Sequence, residues 1–150
     1  LAEVIKKTTG KDITNYPGAG AARGMGGGLL AFFNAELKPG TELLLKAIDF
    51  SEKIKGADLI ITGEGKADQQ TAMGKVPYGI LKEAQKEHIP VIVLAGSIEN
   101  LPELNKAGFK GIFSIAPGPI TLEKAMEPEF AKENITRLVS QLYSVITSFG

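Results

Sequence analysis

Three short apolar runs decide the fold: Ala57-Asp58-Leu59-Ile60-Ile61-Thr62-Gly63, Pro90-Val91-Ile92-Val93-Leu94-Ala95-Gly96, and Gly111-Ile112-Phe113-Ser114-Ile115-Ala116, closed by Pro117-Gly118. Each is rich in Ile, Val and Leu and ends at glycine or proline. Continuous rather than alternating hydrophobicity marks strands covered on both faces, as in parallel sheets. Between the first two runs, Pro77 opens a helical segment reaching Glu87. Pro77, Ile80, Leu81 and Ala84 share one stripe, while Lys82, Glu83, Lys86 and Glu87 face water. Between the second and third, Pro102 to Ala107 reads as a short helix stopped by Gly108. A last helix is expected from Pro128 to Phe149. Its core stripe is Phe130, Ile135, Leu138, Leu142, Ile146 and Phe149. This alternation predicts a three-layer α/β fold with right-handed crossovers.

Working outward, the first 56 residues are less regular. Gly20 to Ala35 reads as a buried helix carrying Met25, Leu29, Leu30, Phe32 and Phe33 among small residues. Pro39-Gly40-Thr41-Glu42 opens another, with Thr41 as the expected N-cap. No strand is evident here. This part is expected to pack beside the α/β unit or to belong to a domain whose remainder is absent.

Composition narrows the function classes. The chain has 150 residues, a size that fits one domain. It carries 17 Lys plus Arg against 17 Asp plus Glu, without the cationic surplus that general nucleic-acid binding requires. No apolar run approaches the roughly 18–20 residues of a membrane span. With no cysteine, disulfides, zinc ribbons and thiol nucleophiles are excluded. A single histidine, His88, rules out a multi-histidine metal site and reads as a surface residue at a helix end. Absence of cysteine is compatible with a cytoplasmic location. The chain starts at Leu1 rather than methionine, so a processed piece or a fragment of something longer is expected.

In open parallel sheets, ligands bind beyond the carboxyl ends of the strands. The expected loop after the first strand, residues 63–76, holds Gly63, Glu64, Gly65, Lys66, Asp68, Gln70, Thr71, Gly74 and Lys75. It is longer than the usual connection of about 2–6 residues. Glycines let the backbone approach an anion, lysines neutralise phosphate, and carboxylates suit Mg²⁺. The competing reading is a solvated loop. Gly96 and Ser97 after the second strand, and Pro117 to Thr121 after the third, are expected on the same edge. Gly96 and Ser97 could offer an N–H or hydroxyl to phosphate, although Gly, Ser and Pro are also common turn formers. The cluster Gly18-Ala19-Gly20-Ala21-Ala22-Arg23-Gly24-Met25-Gly26-Gly27-Gly28 follows no strand and lacks dinucleotide-fingerprint spacing. It reads either as close packing of a buried helix or as a helix N-terminus suited to an anion.

With these residues in place, the chain resembles the C-terminal part of the bacterial glycerate kinase family, which includes glycerate 2-kinases. The resemblance rests on Gly18-Ala19-Gly20-Ala21-Ala22, Ala35-Glu36-Leu37-Lys38-Pro39-Gly40 and the run Ala57 to Gly65. It continues through Asp68, Gln70-Thr71, Gly74-Lys75-Val76-Pro77, Pro90-Val91-Ile92 and Ala95-Gly96. It implies ATP- and Mg²⁺-dependent phosphorylation of D-glycerate to 2-phosphoglycerate. It also implies a Rossmann-like domain over residues 46–150, with residues 1–45 belonging to a second, inserted α/β domain. On this basis Glu64 and Asp68 are expected to hold Mg²⁺ or take the substrate hydroxyl proton. Lys66 and Lys75 would neutralise phosphate oxygens. Gly18, Gly20, Gly63, Gly65, Gly96 and Ser97 would contact phosphate, while Gln70 and Thr71 would orient glycerate. The implied partners are small molecules, with neither nucleic acid nor membrane, and a homo-oligomer is left open. Two departures stand out: Arg23 occupies a position that is usually small in the family, and the family's N-terminal strand with its Ser- and Lys-bearing loop is missing. An incomplete, inactive kinase piece is therefore expected. The alternative is a non-catalytic nucleotide- or anion-binding α/β module.

Overall fold

Beta-branched residues at Ile60-Ile61-Thr62 and Val91-Ile92-Val93 nucleate two strands that pair directly in the computed structural model, which describes residues 1–33 and 35–149. In chain order the elements are α1 (Ala2–Thr9), α2 (Ala21–Phe33), α3 (Gly40–Ala47), α4 (Phe50–Lys53), β1 (Ile60–Ala67) and α5 (Val76–Lys86). There follow β2 (Val91–Ile98), α6 (Leu101–Ala107), β3 (Gly111–Ser114), α7 (Leu122–Ala125) and α8 (Pro128–Thr147). The chain separates into two compact units, Leu1–Leu43 and Leu44–Gly150.

In the first unit, α1 and α2 bury Ile5, Ile13, Leu30 and Ala31. The expected continuous helix from Gly20 is interrupted: Ala22, Arg23 and Gly24 are all left-handed, with φ of 49°, 58° and 93°. A non-glycine residue there costs roughly 1–2 kcal/mol, and Ala22 and Arg23 both adopt it while exposed. Arg23 thus adopts the turn that its side chain disfavours. Beyond the turn, the glycines serve close packing. A Cβ on Gly26 would lie 2.5 Å from the Gly18 carbonyl oxygen, and the Gly27 N–H donates to the Ala19 carbonyl at 2.9 Å. Thr41 lies inside α3 rather than capping it.

The second unit is a parallel α/β sheet in the order β1-β2-β3. Val91, Val93 and Ala95 of β2 pack on one face against Leu81 and Ala84 of α5 and Leu104 of α6, with Phe50 and Ile54 beside them. Crossovers of one hand place their helices on one face when successive strands advance in one direction, as here. On the opposite face, Ile61, Gly63, Leu94 and Ile115 line a groove of about 260 Å³ bordered by Ile135 of α8.

Two further expectations need correction. The strands extend past their glycines: β1 continues through Gly63, Glu64, Gly65 and Lys66 to Ala67, and β2 runs through Gly96 and Ser97 to Ile98. The loop after β1 is therefore residues 68–75, shorter than predicted. Local propensity in Gly-Glu-Gly-Lys is poor, but the ladder Glu64↔Ala95, Lys66↔Ser97, Ala67↔Ile98 supplies the hydrogen bonds, and Ala67 is fully buried. The α8 stripe is also only partly core. Ile135 and Ile146 are 41% and 49% exposed and Phe149, past the end of α8, is 88% exposed, while the buried residue of α8 is Asn134, whose amide donates to the Phe130 carbonyl at 2.8 Å. Among the described residues, no helix is long and apolar enough to cross a membrane.

Candidate active site

Parallel pairing sets the site. Thr62 and Glu64 are level with Val93 and Ala95, so Glu64 shares the face that α5 covers. The 68–75 segment then folds back over that face before α5 begins with Pro77 in its first turn. Three successive turns shape it: the N–H groups of Thr71, Ala72 and Met73 donate to the carbonyls of Asp68, Gln69 and Gln70. Ala72 packs against the core beneath.

This fold-back brings Glu64, Asp68 and Lys75 together. The Lys75 ammonium lies 3.4 Å from Asp68 Oδ1 and 3.7 Å from Glu64 Oε1. Their side chains are 33%, 22% and 19% exposed, so the cluster is partly screened from water yet reachable. Asp68 Oδ1 also accepts from the N–H groups of Gln70 at 2.9 Å and Thr71 at 3.3 Å. Burial pushes the Asp68 carboxyl up, but those two N–H groups and the Lys75 ammonium outweigh it and hold the carboxyl below its usual value. Asp68 is therefore an anion at neutral pH, with its geometry fixed by the loop backbone.

The other expected residues divide. Lys66 is drawn aside: it pairs with Glu99 at 2.8 Å, and that carboxylate raises its pKa. Glu99, absent from the sequence expectation, is reached because Lys66 is level with Ser97, just before the end of β2. Gly96 answers to packing, since a Cβ there would sit 2.8 Å from the Gly65 carbonyl oxygen of the neighbouring strand. Gly63 and Gly65 are exposed on β1, and Ser97 is exposed on β2. Gln70 is exposed beside Asp68, whereas Thr71 is wholly buried with its hydroxyl engaged by protein atoms. The expected role of Thr71 toward glycerate would therefore have to be exerted from a buried position. Gly18 and Gly20 belong to the first unit, where both are exposed.

The donor set is compatible with a hard cation. Glu64 and Asp68 converge on the single position that the Lys75 ammonium holds, and two carboxylates completed by phosphate oxygens suit Mg²⁺. Among the described residues, no group of three or more acidic, His or Cys residues could hold a metal by itself. Such an ion would need substrate or water oxygens.

Comparison with known proteins gives the family. The family model described as the glycerate kinase family matches residues 1–147. A glycerate kinase of Halalkalibacterium halodurans is 45% identical over 128 residues, covering 85% of this chain and 34% of that protein. The glycerate 2-kinase of Escherichia coli K12 is 43% identical over 137 residues, covering 91% and 35%. A solved structure described as a glycerate kinase 2 of Salmonella typhimurium LT2 superposes with a TM-score of 0.65 at 34% identity, covering 97% of this chain and 38% of that one. The chain thus spans about a third of the length of the relatives it matches. By sequence along nearly its whole length, and by fold, the chain belongs to the glycerate kinase family.

Proposed function

We propose that this chain carries part of the machinery of a cytoplasmic kinase that phosphorylates D-glycerate to 2-phosphoglycerate with ATP. The observation that carries the reading is the convergence of Glu64, Asp68 and Lys75 at the carboxyl end of β1. Family membership and the names of the relatives support the substrate class.

Phosphoryl transfer depends on positioning and on neutralising charge over the transferred group. Asp68, held as an anion by its backbone contacts, serves electrostatics and cation binding better than proton abstraction, which favours a carboxyl titrating near the working pH. Glu64, the second carboxylate of the cluster, is placed to orient the acceptor hydroxyl or to share a cation with Asp68. Lys75, which bridges the two carboxylates, would neutralise phosphate oxygens of the substrate. Lys66 stands at the rim, tethered to Glu99. Mg²⁺, where bound by Glu64 and Asp68, would supply charge neutralisation on the phosphates.

The test is Asp68→Asn, which keeps the oxygen that accepts from Gln70 and Thr71 but removes the charge. ATP-dependent glycerate phosphorylation in the full-length protein should fall by roughly 10²–10⁴-fold, the range typical for loss of a catalytic charge or proton-transfer group. An unaltered kcat would remove Asp68 from the chemistry. Calorimetric binding of Mg·ATP by a full-length protein that never phosphorylates glycerate would favour the non-catalytic module instead.

A further inference from the structure

Thr71 is a polar residue with 0% exposure, although Gln69 and Gln70 before it and Met73 after it lie open to solvent. A buried hydroxyl must be satisfied, and it has one proton to donate and two lone pairs to accept with. Thr71 Oγ1 accepts from the Asp68 N–H at 3.1 Å and lies 3.3 Å from Glu64 Oε2; the Lys66 carbonyl, at 3.5 Å, is the longer alternative for its proton. In return, the Thr71 N–H donates to Asp68 Oδ1 at 3.3 Å. Asp68 and Thr71 therefore satisfy each other reciprocally, in the pattern a capping box uses at a helix start. One side chain is bonded to the backbone that carries one carboxylate and to the second carboxylate itself.

This has a mechanical consequence. A glutamate side chain has three torsions to settle, whereas a β-branched threonine is stiff about its first. Anchoring Glu64 Oε2 on Thr71 transfers that stiffness to the carboxylate, and it leaves Oε1 toward Lys75. We propose that Thr71 is a positioning residue: its buried hydroxyl holds the Glu64 carboxylate in register with Asp68, and it does not touch the substrate. The proposal rests on the kinase reading above.

The experiment compares Thr71→Val, which keeps the shape and loses both hydroxyl contacts, with Thr71→Ser, which keeps the hydroxyl and loses a methyl, in the full-length protein. Thr71→Val should lower kcat by about 10–100-fold with the KM for glycerate within about twofold, since misplacement by about an ångström costs up to 10². Thr71→Ser should return kcat to within a few-fold of the parent. Amide exchange at Asp68 should quicken in Thr71→Val, where its acceptor is gone, and remain parental in Thr71→Ser. A raised KM at unchanged kcat would mean direct substrate contact and overturn the proposal, as would a Thr71→Val enzyme with parental kcat. Should Thr71→Val fail to fold, Thr71→Ser decides alone: a kcat as parental as its amide exchange supports the hydroxyl's role, and a collapse of kcat with the hydroxyl present refutes it. Failure of the kinase reading is a separate outcome, because the parent itself would then lack glycerate phosphorylation and the proposal would fall with it.

Discussion

Replacing Lys75 by methionine keeps a stem of similar length and removes the charge that separates two carboxylates. The ammonium lies 3.4 Å from Asp68 and 3.7 Å from Glu64, in a cluster whose side chains are 33% exposed or less. At about 3.5 Å, a unit pair is worth roughly 1 kcal/mol in bulk water and about 4–5 kcal/mol at an effective dielectric near 20. Partial exposure and the entropy of holding a lysine bring the net toward the lower end. We expect a loss of about 1–3 kcal/mol at neutral pH, with two carboxylates left facing each other. For a chain of this size that lowers Tm by roughly 2–4 °C per kcal/mol. The pH dependence provides the sharper check. The Asp68 carboxyl lies below its usual value in the folded chain, so its contribution is fully present above the unfolded pKa and is lost as pH falls through the folded one. Without Lys75 that depression shrinks, so the difference between parent and Lys75→Met should be largest near pH 7 and fade toward pH 3. Thermal unfolding followed by circular dichroism across that range reads it directly. A difference as large at pH 3 as at pH 7 would show that Lys75 stabilises through its stem and not its charge.

Gly96→Ala places a methyl 2.8 Å from a backbone carbonyl oxygen that cannot swing away, so overpacking should cost about 1–3 kcal/mol in a denaturant titration; parental stability would show that β1 and β2 separate freely there. Ser51 Oγ donates to Glu83 Oε2 at 2.8 Å and thereby joins α4 to α5. Lys86 and then Ser51 hold the Glu83 carboxyl below its usual value, so Ser51→Ala should destabilise the chain by about 0.5–1 kcal/mol near pH 7 and by less once pH falls through the folded pKa of Glu83. A loss independent of pH, measured by urea unfolding, would contradict that account.

The order of strands and helices in the second unit was legible because it depends on periodicity and on punctuation. Continuous Ile/Val runs, Pro77 at a helix start and Gly108 at a helix stop are local signals, and Gly108 does adopt the left-handed φ of 116° that glycine permits. The left-handed turn at Ala22-Arg23-Gly24 was hidden, since nothing local in Ala-Arg favours it. The limits of β1 were hidden for a related reason. Gly-Glu-Gly-Lys reads as a loop in isolation and becomes strand only because Ala95 to Ile98 lie alongside to exchange backbone hydrogen bonds with it.

For the site, the sequence alone determined which residue types gather in and just after the end of the first strand: two carboxylates, two lysines and a threonine within a dozen residues. Tertiary structure decided how they pair. Register sent Lys66 to Glu99 and left Lys75 between Glu64 and Asp68, and the fold-back of residues 68–75 buried Thr71 against both carboxylates. Charge and hydrogen-bonding capacity are properties of a residue, but which groups meet depends on strand pairing and on which face the chain crosses, and those are settled only when the sheet closes against its helices.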